Sequence, residues 1–360
     1  MKFLPPSCSS VLQFLFCNKS LLANSKKLIC TVLLFFTFQL VFAQNSAEKI
    51  EEIKEQYKTL SNLKGSEYEK KVEELIKSSS EINYTDGIVN GKIKLMLISY
   101  NQSDFGRLLE LTRETDAIKT NNYEHLSMIS FYKSYANKAL GIEREQIQNI
   151  KDALKYAKLI EEPDKRHQQI ATVYNQLANF YDYKSPDSLI YYLKKEAEEL
   201  NKITEENPKT KIKKYGHIAL NSINIGNYYV GVIEPQRLDL AEPYYLTVYN
   251  YKTTRPEIFA MYDMPILCGT GRFYMEKGEY NKAIEIANEV LEIEKLKKNP
   301  VYKQYAYQLI ADSNEGLKNT VQQAKFTKLY AKLSDSLNKE SKKVVSQQFE
   351  QLLTEVEKKK

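Results

Sequence analysis

Residues able to do chemistry are few in this sequence, and their spacing argues against a reaction centre. Gly269-Thr270-Gly271 has the small residues with which a loop could cradle a phosphate. That run sits inside a helical pattern rather than after a strand, so it reads as packing. Neither G-x-x-x-x-G-K-[ST] nor G-x-S-x-G occurs. His125, His167 and His217 stand far apart, so no helical His pair is available to zinc. Cys268 is the sole cysteine after residue 43, with no histidine near it in sequence. It reads as a small buried apolar residue. Glu51-Glu52, Glu73-Glu74 and Glu198-Glu199 read as solvated helix faces rather than tuned acid–base pairs. The 27 tyrosines could stack against sugars. Most fall where helices would meet, as in Tyr191-Tyr192, Tyr228-Tyr229 and Tyr244-Tyr245, so core packing suits them better. The sequence predicts no catalytic residue, no cofactor and no metal.

The elements that carry these residues are helices. From Ser46 onward Gly and Pro are sparse and fall between periodic segments. Ile50, Ile53, Tyr57 and Leu60 mark one amphipathic helix, and Tyr68, Val72, Leu75 and Ile76 the next. Asn90-Gly91 reads as a weak spot before a helix over Ile93 to Tyr100, and Ser103-Asp104 caps the one after. Tyr123–Leu140 and Ile147–Ile160 form a pair ending before Pro163.

Helix pairs become explicit in the C-terminal half. Over Ile266–Pro300 two helical segments meet at Lys277-Gly278-Glu279. Gly271 precedes Tyr274 by three, Tyr280 opens the second segment, and Ala283 precedes Ala287 by four. Small residues at helix contacts beside a space-filling aromatic resemble the tetratricopeptide repeat (TPR), although Leu267 and Thr270 replace its usual Trp and Leu. Ala178 with Tyr181 repeats the pattern, followed by a helix start at Ser185-Pro186-Asp187. Gly226 with Tyr229, then Ala241 with Tyr245, repeats it again, with a turn lengthened over Val232 to Gln236. A degraded copy spans Tyr302–Leu333, where Ala311 and Ala324 are small and Asn319 replaces the turn glycine. The aromatics Tyr181, Tyr229 and Tyr274 are more widely spaced than the ~34-residue unit of the family, so the helices are longer than its standard. The expected fold is an all-α, right-handed TPR-like superhelix of six or seven hairpins over 44–338, followed by a C-terminal helix over 339–360.

That resemblance implies where a partner would dock. TPR superhelices present their first helices on a concave side, which places Asn179, Asn227 and Arg272, two residues before each aromatic, in one polar row. Asp182 and Met275, one residue after, flank it. Such a row suits a peptide backbone or carboxylate.

Lys26-Lys27, an apolar run over Leu28–Phe42 and small Ala43 resemble a bacterial Sec signal peptide covering residues 1–43. About fifteen apolar residues is short of the ~20 that span a bilayer. Cleavage after Ala43 exports the chain to the periplasm, and an uncleaved segment would anchor it to the inner membrane instead. An over-extended start explains Pro5-Pro6 and the preceding apolar patch. The net charge of +6 shrinks without the four leader lysines to 48 basic against 46 acidic residues, which gives no case for nucleic acid.

Near the C-terminus, Val345, Phe349, Leu352 and Val356 recur at 4-3-4 spacing. That fits either a short coiled coil, with a dimer through the helix, or a solvated cap. An exported TPR array ending this way is similar to the sensor halves of TPR-containing regulators and histidine kinases of Bacteroidetes. In those proteins the helix continues into a membrane span and an output domain, whereas here no apolar stretch of membrane length follows residue 44. A stand-alone relative and a gene shortened at its 3′ end both fit. The sequence predicts a non-enzymatic module of the cell envelope that binds a protein or peptide, or else the sensor half of a signalling receptor.

Overall fold

The computed structural model describes residues 47–205 and 208–358, so the leader expected over 1–43 lies outside the described residues. Every regular element among them is a helix. No helix of the described residues is long and apolar enough to cross a membrane. The chain divides into two compact units, Met1–Leu95 and Met96–Lys360.

The first unit contains α1 (residues 47–59), a 3-10 turn at Leu60–Asn62, α2 (Gly65–Glu81) and the first part of α3 (Thr85–Asn101). Ile53, Tyr57, Leu60, Val72, Leu75, Val89, Ile93 and Leu95 are buried apolar residues of this unit. The Tyr57 hydroxyl donates to the Gly87 carbonyl at 2.8 Å. Asn90-Gly91 does not interrupt the chain as expected, because α3 runs straight through it. A Cβ on Gly91 would collide with the Ile76 side chain and lie 2.6 Å from the Tyr57 hydroxyl. Glycine is there for close approach, which sequence alone cannot tell from a break.

The second unit continues with α4 (Phe105–Asp116), α5 (Tyr123–Ala139), α6 (Glu143–Ala157), α7 (Pro163–Tyr181) and α8 (Pro186–Asn201). Then come α9 (Pro208–Gly231), α10 (Leu238–Tyr249), the single turn α11 (Tyr251–Thr254), α12 (Pro256–Glu276), α13 (Tyr280–Lys297), α14 (Pro300–Gly316) and α15 (Thr320–Lys358). Helices pair as α5–α6, α7–α8, α9–α10, α12–α13 and α14–α15. Each second helix also packs on the first helix of the following hairpin, and successive first helices touch. Contacts therefore link neighbours in sequence, the arrangement of a helical solenoid.

One turn recurs between paired helices. The N–H groups of Gly278 and Glu279 bond the carbonyls of Met275 and Tyr274, with Gly278 left-handed at φ +81°. The same two bonds close the turns at Ser103-Asp104, Gly141-Ile142 and Lys318-Asn319. This is the Schellman ending, which satisfies the last carbonyls of one helix and aims the chain into the next. The degraded copy corrects one expectation. Lys318, at φ +58°, occupies the place of Gly278, and Asn319 caps α15 by accepting from the Gln322 N–H at 3.3 Å. The expected caps Asp104 and Ser185 accept from the Arg107 and Ser188 N–H groups. The lengthened turn after α9 runs over Val232–Arg237 and contains a cis Glu234–Pro235 bond.

One helix differs from expectation. α12 begins at Pro256, ahead of Ile266, and bends at Tyr262 (φ −123°, ψ 17°). Pro265 cannot donate to the carbonyl four residues back, so the ladder opens there. The Asp263 carboxylate takes the Met264 N–H at 2.7 Å and the Lys297 ammonium at 2.6 Å, tying the bend to the end of α13. α15 runs unbroken from Thr320 to Lys358, in keeping with a long C-terminal helix.

Candidate functional site

The residues expected to pack repeats together are mostly interior. Ala178, Ala241, Ala283 and Ala287 are buried, as are Tyr229, Tyr245 and Tyr274, while Tyr181 and Tyr280 are half-buried. Gly226 faces the Tyr245 ring so closely that a Cβ would sit 2.6 Å from it. Gly271 meets Leu309 of the next hairpin at 2.6 Å and Ile286 of its own partner helix at 3.3 Å by the same measure. Small residues thus let α9 and α12 come down on their neighbours, and rings fill what remains. Tyr192 stacks on Tyr181 at 5.6 Å, and Tyr229 on Tyr244 at 6.2 Å. Tyr191 departs from the packing expectation, being half exposed.

The five residues expected to face a partner occupy different surroundings. Asn179 on α7 is exposed and donates to the Asn175 side chain at 3.0 Å. Asn227 on α9 is half-buried and accepts from the Tyr245 hydroxyl at 2.7 Å, so part of its hydrogen-bonding capacity is spent inside the hairpin. Asp182 is the residue after α7 rather than part of its face. Met275 packs against the main apolar core. Arg272 on α12 is half-buried, with its guanidinium lying over Gly231 at the end of α9. Among the described residues no carboxylate lies within ion-pair distance of it.

The Arg272 neighbourhood spans three hairpins. Burial raises the Tyr245 hydroxyl above the ordinary tyrosine range, while the Arg272 charge pulls the other way. Burial does the same to Tyr305 on α14, again opposed by Arg272 and reinforced by Glu276. Glu276 itself accepts from Gln236 at 3.2 Å. Partial burial and the charge of Glu315 raise Asp312 on α14. One unpaired cation beside protonated phenols and amides can receive an acceptor group.

Sequence reasoning passed over the buried polar groups between hairpins. Glu196 on α8 is 1% exposed and accepts from Asn175 of α7 at 3.0 Å and Asn221 of α9 at 2.8 Å. Burial pushes its carboxyl up to about 7, against the two amide hydrogen bonds. One turn further on, Glu199 is paired with His167 at 2.7 Å and Lys202 at 2.6 Å. Gln169 donates to Ser127, and Gln176 to the Phe131 carbonyl, across α5 and α7. The signal was the unbroken helical period placing Glu196 three residues after Leu193, on the apolar side.

Cys268, the Gly269–Gly271 run and His217 sit in the following surroundings. Cys268 is buried and its thiol is pushed up to about 12 by burial. Gly269, Thr270 and Gly271 lie buried within α12. Burial and neighbouring Lys213 push His217 down to about 4, leaving it neutral near pH 7. Among the described residues no group of three or more His, Cys, Asp or Glu could hold a metal ion. No protein-family model and no curated protein matches the chain.

Proposed function

We propose that this chain is an exported, TPR-like interaction module that binds an extended segment of a protein partner along its first helices. In a TPR-like superhelix those helices line the concave side, and the partner lies across α7, α9, α12 and α14. The observation that carries the reading is Arg272, a half-buried guanidinium with no ion pair among the described residues. Arg pairs bidentately with carboxylates, and an arginine held over the end of a neighbouring helix has little rotamer freedom left to lose on binding. Asn179 extends the row with amide donors, Asn227 to the extent that Tyr245 leaves it free, and Met275 and Asp182 border it.

A second reading gains support from α15, whose 39 residues outlast its partner helix. It is the sensor half of a membrane signalling receptor, similar to TPR-containing regulators and histidine kinases of Bacteroidetes, acting beside an output domain. In that case the binding face stays the same, and occupancy is passed to the output domain.

Photo-cross-linking from position 227, against position 191 on the other side of the repeats, tests the face. The expected result is one protein captured from 227 and not from 191. Arg272→Ala should weaken binding of that protein about tenfold or more, consistent with losing a charged hydrogen bond, with Arg272→Lys intermediate. Equal capture from both positions, or unchanged affinity in Arg272→Ala, would remove the proposal.

A further inference from the structure

We infer that the hollow beside Arg255, at the start of α12, binds a small hydroxylated carboxylate of the sugar-acid class. The hollow measures about 620 Å³ and opens where α10 ends and α11 begins. Thr247 and Tyr249 of α10, Asn250 and Thr254 at the two ends of α11, and Arg255 line it. No Asp or Glu is among its lining residues. That volume suits a ligand of small-molecule size.

Arg255 sets the chemistry. Its guanidinium lies 3.8 Å from the centre of the Tyr215 ring and 5.3 Å from that of Tyr251. Two rings hold it in place, so it has little rotamer freedom to lose on binding. It forms no ion pair among the described residues, and its Nε is covered without a hydrogen-bond partner. A covered donor lacking an acceptor is unfavourable in a finished structure and fits a group held ready for a ligand. The carboxylate whose charge reaches it, Glu205, is already taken, because the Tyr215 hydroxyl and the Lys214 ammonium both donate to it. One delocalised cation matches one carboxylate through two parallel hydrogen bonds. A phosphate dianion would call for a second cation, and neighbouring Lys252 is held by Glu289 at 2.7 Å. The rest of the lining suits hydroxyls. The Asn250 side-chain oxygen accepts from Thr253 at 3.0 Å, which leaves its amide N–H groups as donors. Thr247 and Thr254 donate to the carbonyls of Pro243 and Asn250, which leaves their oxygens as acceptors. Half-buried Tyr249 adds a ring against which a sugar can lie. The site is independent of the Arg272 row, which lies at the other end of α12.

Calorimetric titration of the purified chain with D-glucuronate and D-galacturonate tests it, with D-glucose and inorganic phosphate as comparisons. At least one uronate should bind with a Kd of roughly 0.1–1 mM, the range open to about a dozen non-hydrogen atoms, and at least tenfold more tightly than either comparison. Arg255→Gln should weaken that binding about tenfold or more, and Arg255→Lys less. Thr247→Glu, at an exposed helical position, sets a carboxylate in the hollow and should abolish binding while the thermal midpoint stays unchanged. Arg272→Ala should bind the uronate as wild type does. Absence of binding by both uronates overturns the site. Glucose bound as tightly as the uronate overturns the role of Arg255, and tighter phosphate overturns the choice of carboxylate. Binding that survives both Arg255→Gln and Thr247→Glu overturns the location.

Discussion

Glu196 shows what a buried carboxyl does to a solenoid. Asn175 of its own hairpin and Asn221 of the next one reach it, so its protonation state is felt both within a hairpin and at the interface beyond it. Its ordinary value of 4.5 rises to about 7 in the fold, which means the folded chain binds the proton more tightly than the unfolded one. The stabilisation linked to that proton is fully present below about pH 4.5 and is lost as pH rises through about 7. The whole span corresponds to ~3 kcal/mol. Glu196→Gln keeps an oxygen for both asparagines and removes the titration. It should raise unfolding stability at pH 8 by about 1–3 kcal/mol and flatten the difference between pH 5 and pH 8. Denaturant titrations at both pH values measure this, and an unaltered pH dependence in the variant would show that Glu196 does not titrate in the window.

Helix pairs were the legible level of this sequence. Gly278 between two periodic segments predicts a turn, and Asp104 and Ser185 predict caps, because each depends on residues within one turn of itself. Three features were not legible, each because a distant residue decides it. Gly91 looks like a breaker until Ile76 and Tyr57 are seen against it. Glu196 looks like one more acid in a charged helix until two asparagines reach it. Arg272 looks like any surface arginine until Gly231 is found beneath it. The turns give two opposed tests. Lys318 is a side-chain-bearing residue held left-handed at φ +58°, so Lys318→Gly should stabilise by about 1 kcal/mol. Gly226→Ala places a methyl within 2.6 Å of the Tyr245 ring, which is fully buried and cannot retreat, so it should destabilise by about 1–3 kcal/mol. If thermal melts put the two variants on the same side of wild type, the turn or the contact has been misread.

Among the described residues of the second unit, no substantial contact between helices skips a hairpin. α9 touches α7, α8, α10 and α12, and α12 touches α9, α10, α11, α13 and α14. Stability in such a chain is close to a sum of hairpins and the interfaces joining them, so damage at one interface stays local. The interfaces also change character along the array. Among α5, α7, α8 and α9 they hold buried Ser127, Gln169, Gln176, Glu196 and Asn221, whereas one continuous apolar cluster, starting at Ala178 at the end of α7, runs on through Tyr245, Phe273, Ile286 and Leu309 to α14. Desolvated polar pairs return less than apolar burial of the same extent. The polar end should therefore open first. Amide hydrogen exchange of the intact chain is expected to protect α12 and α13 most and α5 to α8 less. Gly271→Ala, which drives a methyl into Leu309, should lower protection in α12 and α14 and leave α5 and α6 as in wild type. A uniform loss along the whole array would mean that the hairpins unfold as one cooperative body.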